Sequence, residues 1–94
     1  MTEILLQLYI AGTSASSRRA EQNLIRLRQL AREECEVEII DVLAKPELAD
    51  QARILATPTL CYNHPIRPRR IIGDLSDSKR VLDFLGIEPR GDAV

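Results

Sequence analysis

ILATPTL, spanning Ile54–Leu60, and RRIIGDLS, spanning Arg69–Ser76, decide the reading of this chain. In the first stretch a threonine–proline step separates a helix-like segment from a strand-like one. Proline lacks a backbone N–H and fixes φ, so Thr57-Pro58 is read as the stop of the helix before it. Thr59 to Asn63 and Arg69 to Gly73 then read as two strands, joined by His64-Pro65-Ile66-Arg67-Pro68. So short a connection implies an antiparallel hairpin. Asp74, Ser76 or Asp77 can cap a last helix containing Val81, Leu82 and Leu85, with Gly86 as its stop.

Working back toward the N-terminus, Ile4 to Ile10 is an apolar run broken only by Gln7, the pattern of a central strand buried on both faces. Ala20, Leu24, Leu27 and Ala31 follow at helical spacing, and Ile25 and Leu30 widen that stripe. The expectation is one amphipathic helix from about Ser16 to Glu34. Val37, Ile39 and Val42 alternate with Glu36, Glu38 and Asp41, predicting a second strand near an edge and parallel to the first if the helix crosses over right-handedly. Pro46 can open a short helix with Leu48, Ala49, Ala52 and Leu55 on its apolar side.

The resulting order, βαβαββα, resembles the thioredoxin-like plan: an α/β fold with a mixed four-stranded sheet. That resemblance implies a cis peptide at Pro58, before the third strand. Redox members of the fold carry Cys-x-x-Cys after the first strand, whereas this chain has Gly12-Thr13-Ser14-Ala15-Ser16-Ser17. The domain is expected to occupy residues 1–86, and residues 87–94, with Pro89 and Gly91, to form a short flexible tail.

With 94 residues the chain makes one small domain, so its function must lie on one fold's surface or in an oligomer. The only aromatic residues are Tyr9, Tyr62 and Phe84, which leaves Leu, Ile, Val and Ala to build the core and provides no stacking platform for single-stranded nucleic acid. A net charge of −1 argues against a general polyanion binder. The cations are almost all arginine, with Lys45 and Lys79 the only lysines, and arginine suits specific bidentate contacts with protein. Cys35 and Cys61 fit no redox or zinc spacing and read as buried thiols of a reducing cytosol. No signal peptide is legible, the apolar runs are too short to span a bilayer, and a cytoplasmic location is expected.

Ser14, Ser16 and Ser17 stand where a helix N-terminus could hold an anion, but no general base is in sight to make any of them a nucleophile, and helix capping is the preferred reading. His64 is the only histidine, and a lone histidine is a poor metal site. Asp74-Leu75-Ser76 could bind an amino or carboxylate group as glutathione transferases do, although the helical second domain of those enzymes is missing, and capping is preferred here too. Arg67, Arg69 and Arg70 form a basic cluster, most simply a solvated strand edge.

Taken together, LQLYIAGTSASSRRA, EIIDVL with the following KPELA, ILATPTL and RRIIGDLS resemble the KaiB family of circadian clock proteins, over about Leu5 to Leu85. The resemblance explains the missing cysteine pair, since KaiB proteins are adaptors and not enzymes. It implies binding to a KaiC-like ATPase ring, capture of KaiA, and competition with a thioredoxin-like sensor histidine kinase, with no cofactor, metal, nucleic acid or membrane involved. It also implies fold switching between a thioredoxin-like form and a tetrameric resting form. Homo-oligomers, dimeric or tetrameric, are thus admitted, and Pro58, Pro65 and Pro68 are the candidate positions for the switch. The partner-binding residues that match the family by position are Arg19, Arg53, Arg69 and Arg70. The altered turn HPIRP and the shortened C-terminal segment depart from the family pattern, and the thioredoxin-like form is expected to dominate. Rival readings are a thiol- or glutathione-binding module using Ser14 or Ser17 with Pro58, a detached sensor-kinase input domain, and an arginine-lined nucleic-acid binder.

Overall fold

An apolar strand with no polar face needs cover on both sides, and Ile4–Ile10 obtains it as β1, an inner strand of a four-stranded sheet. The computed structural model describes residues 4–91. Its other elements are α1 (Ala15–Leu30), β2 (Cys35–Asp41), α2 (Pro46–Ala52), β3 (Thr59–Tyr62), β4 (Arg69–Ile72) and α3 (Ser78–Leu85). The strands lie in the order β2-β1-β3-β4, with β2 parallel to β1 and the β3–β4 hairpin antiparallel. The mixed sheet and the order βαβαββα are those expected from the sequence.

Register divides the side chains between two faces. Leu6 and Leu8 of β1, Leu60 of β3, Leu24 and Leu27 of α1 and Leu82 of α3 are fully buried in the larger core, on the face covered by α1 and α3. On the other face Tyr9, Ile40 and Cys61 form a smaller core, with Leu48, Ala52 and Ile54 packed against it from α2 and the loop that follows. The short α2 leaves the rest of this face uncovered. There Gln7 donates to Glu38 Oε1 at 2.9 Å and accepts from the Asn63 amide at 2.6 Å, a polar chain across three strands.

Several boundaries differ from the sequence expectation. The helix α1 ends at Leu30, four residues before Glu34, because Ala31 is extended while its N–H still bonds to Leu27 O. The freed backbone finds partners in the C-terminal segment: Arg32 N–H donates to Glu88 O, Arg90 N–H donates to Leu30 O, and Ala31 pairs with Pro89. Residues 87–90, expected in a loose tail, are therefore fastened to the end of α1, and Ile87 is only 4% exposed. Residues 92–94 of that tail lie outside the described residues. Ile25 is exposed and does not widen the helix stripe, whereas Leu30 packs partly against the core. On β2, Ile39 is half exposed and Ile40 is buried, since an edge strand has no neighbour on its outer side.

The end of α2 is set by Arg53 and not by Thr57-Pro58. Arg53 adopts the left-handed conformation, at φ 56° and ψ 49°, and its N–H bonds back to Ala49 O and Asp50 O. The helical period breaks there, so Ile54 takes the inward position expected for Leu55, and Leu55 is 96% exposed. The Thr57–Pro58 peptide is cis, and Pro58 O accepts from Gly73 N–H at 3.0 Å. At α3, Asp77 is the capping residue, accepting from Arg80 N–H, and Gly86 closes the helix at φ 76°.

Candidate partner-binding site

The loop after β1, the loop after β2 and the start of β3 converge at one end of the sheet. Asp41 ties the first two together, its Oδ1 accepting from Gly12 N–H and from Leu43 N–H, each at 3.0 Å. Gly12 has φ 58°, and a Cβ there would stand 3.2 Å from Leu43 Cδ1. The loop therefore requires glycine at this position for both conformation and space.

The serines of this loop are occupied with structure. Ser14 caps α1, its Oγ accepting from Ser17 N–H at 3.3 Å and donating to Ser17 Oγ at 2.8 Å. Ser17 is fully buried, and its Oγ also accepts from Ala11 N–H at 3.1 Å. The histidine that could act as a base, His64, lies in the β3–β4 turn at the opposite end of the sheet. Among the described residues no group of three or more His, Cys, Asp or Glu is placed to hold a metal ion.

Of the four arginines singled out in the sequence, the structure brings two together. The Arg70 guanidinium reaches from β4 to the end of α2, donating to Ala52 O at 2.8 Å and to Arg53 O at 3.0 Å. It thereby satisfies carbonyls that a helix end leaves without partners and puts a cation at the negative end of the helix. Arg69, opposite Tyr62 in the ladder, points to the other face. Arg19 lies on α1, 3.2 Å from Asp74 Oδ2, while Asn23 donates to Asp74 O. Asp74 therefore braces α1 against the loop after β4, and the capping role expected there belongs to Asp77. Of the candidate switch prolines, Pro58 is buried at the start of β3, and Pro65 and Pro68 are exposed in the turn.

Three side chains that sequence reasoning did not assign to a site stand exposed around this end of the fold: Leu43 at 72%, Leu55 at 96% and Ile72 at 64%. Ile72 shares a sheet face with Arg70 and lies opposite Thr59, next to Pro58. Large aliphatic side chains in water, with the exposed Arg53 two residues before Leu55, give this end of the fold both apolar and basic character, a composition that protein interfaces use. The signal for Ile72 is its place at the end of an edge strand; Leu55, expected on the apolar side of α2, carries none.

Both thiols are buried. Burial pushes the Cys61 thiol up, with Arg70 acting weakly in the other direction, and burial likewise raises Cys35 against Arg28. Burial also raises Tyr9.

The KaiB domain matches residues 7–87. The circadian clock protein KaiB3 of Synechocystis sp. is 44% identical over 92 residues, covering 97% of this chain and 90% of that protein. Among solved structures, the N-terminal domain of SasA from Synechococcus elongatus superposes with a TM-score of 0.72 at 24% identity, covering 92% of this chain and 86% of that one. Deadhead, a germline-specific thioredoxin of Drosophila melanogaster, gives 0.70 at 16% identity, covering 89% and 79%. The fold is thus thioredoxin-like, and the loop from Gly12 to Ser17 after β1 contains no cysteine.

Proposed function

Since the chain belongs to the KaiB family, we propose that it is an adaptor that docks on a KaiC-type ATPase ring and regulates a circadian clock or a timing or stress pathway derived from one. It works by binding and conformational exchange, without chemistry of its own. The observation that carries the reading is the surface at the Pro58 end of the sheet, where Leu43, Leu55 and Ile72 are exposed and Arg53 is exposed two residues before Leu55. Burying such side chains against a partner releases ordered water, and arginine among them supplies directional contacts.

Arg53 is the proposed central contact and Arg70 its support, since the carbonyl of Arg53 is held by the Arg70 guanidinium. Arg19 and Arg69, on the other face, are proposed for a second contact, such as KaiA or a sensor histidine kinase. The fold exchange and the homo-oligomer implied by the family belong to the same proposal, with Pro58, Pro65 and Pro68 as candidate positions. The glutathione-binding alternative loses support because the hydroxyls of Ser14 and Ser17 are already engaged with each other.

The test is binding of wild type and Arg53→Glu to a KaiC-type ATPase supplied with nucleotide, with circular dichroism confirming that both are folded. The substitution is expected to weaken binding at least tenfold, or about 1.4 kcal/mol. Unchanged affinity in a folded variant removes Arg53 from the site. Absence of binding by the wild type overturns the adaptor reading itself.

A further inference from the structure

The β3–β4 turn is organised around one side-chain atom. Nδ1 of His64 accepts hydrogen bonds from the backbone N–H groups of Ile66, at 3.0 Å, and Arg67, at 3.1 Å. Two donors aimed at Nδ1 require a lone pair there, which fixes the neutral imidazole with its proton on Nε2. The Tyr62 ring holds the imidazole edge-on from β3, with ring centroids 5.5 Å apart and planes at 88°. Pro65 and Pro68 contribute no N–H, so the two donors that His64 engages are central to the order of this short segment.

Protonation of Nδ1 would set its N–H against two other N–H groups, and all three could not be accommodated. Arg67 in the turn and Arg69 on β4 oppose a positive imidazole, while Glu33, before β2, and Glu88, after α3, line the adjoining cleft and favour it. Tyr62 of β3 is the remaining titratable group against the ring, and it stays neutral throughout the range in which histidine titrates, since burial raises it further. The hydrogen-bond geometry at Nδ1 thus decides what protonation does.

We propose that His64 is a proton-operated pin of the β3–β4 turn: the neutral imidazole holds Ile66 and Arg67 in place, and protonation releases them. Release frees the tip of the hairpin, which carries Ile66 at 81% exposure. Histidine is the side chain whose ordinary titration lies between about pH 5 and 8, and that is the range to probe. The proposal does not rest on docking to a KaiC-type partner, because it is argued from hydrogen bonds within the turn itself.

The test is an amide NMR titration of the full chain across that range, with hydrogen exchange measured relative to the intrinsic rate at each pH. His64 is the only histidine, so its ring signals report one site. The Ile66 and Arg67 amides are expected to shift together with the His64 ring, and their protection to fall about tenfold or more on protonation, the ratio for losing one ordinary hydrogen bond. His64→Asn keeps an acceptor that reaches the backbone two residues on but does not titrate, and should hold both amides at their neutral positions throughout. His64→Ala should show the released positions at every pH. A ring that titrates while both amides stay still, or an equal pH response in His64→Asn, overturns the proposal; wild type alone decides it if a variant fails to fold.

Discussion

Ser17 is the residue on which the front loop depends most. Its hydroxyl is fully buried and takes up the Ala11 N–H, whereas Ser14 stands at the helix N-cap and Ser16 makes no bond of this kind. Removing a buried acceptor leaves its donor unpaired at a cost of about 1–3 kcal/mol. Removing an N-cap serine costs about 1 kcal/mol, and a substitution free of either effect stays within about 0.5 kcal/mol. The expected order of destabilisation in urea unfolding is therefore Ser17→Ala, then Ser14→Ala, then Ser16→Ala near zero. A Ser17→Ala protein as stable as Ser16→Ala would mean that the hydroxyl bond to Ala11 contributes nothing. The same order separates a structural serine cluster from a binding one, because a ligand site would show its loss in ligand affinity and not in stability.

Between elements, the decisive connection is the one that ties the C-terminal segment to the end of α1. Ile87 enters the larger core just after Gly86, and Pro89 and Arg90 pair with Ala31 and Leu30. Truncating a buried isoleucine costs about 2–5 kcal/mol, so Ile87→Ala should lower the unfolding free energy by that amount, while Leu55→Ala stays within about 0.5 kcal/mol. Near-equal stability of the two variants would return residue 87 to a loose tail. This contrast also shows which parts of the fold were legible in the sequence. The strands, the Asp77 and Gly86 caps of α3 and Pro46 at the start of α2 are local signals, and each falls where its residues indicate. The end of α1 is fixed by residues some sixty positions away, which no periodicity within the helix can express. Arg53 adopts a left-handed conformation that sequence reading assigns to glycine, and the misplacement of Leu55 follows from it. The site was legible only in part: the four arginines were named from family resemblance, yet the pairing of Arg70 with the α2 carbonyls depends on how hairpin and helix pack.

For the molecule as a whole, alkaline pH should be the sensitive direction, because four acidic groups are shifted the same way. Burial is the leading cause of the upward shift at Cys35, Cys61, Tyr9 and Tyr62. In the unfolded chain these groups release protons near their ordinary values of 9.0 for cysteine and 10.0 for tyrosine, while in the fold they hold them to higher pH. At a pH between the two values the unfolded state binds fewer protons than the folded one, so stability falls as pH rises. Their contribution is whole below about pH 8.5, declines as pH climbs past the unfolded values, and is lost once the folded values are passed. Urea midpoints are expected to be level from about pH 7 to 8.5 as far as these groups are concerned, and to drop above that. In Cys35→Ala/Cys61→Ala the drop should begin later and be shallower, since only the tyrosines remain to drive it. An identical alkaline profile in that variant would remove the thiols from the account, and a midpoint level through about pH 11 would remove all four groups. The same burial leaves the thiolate a minor form at neutral pH, where a thioredoxin depends on a reactive one. What this fold offers a partner at working pH is therefore shape, exposed aliphatic groups and arginine, which is the chemistry of recognition.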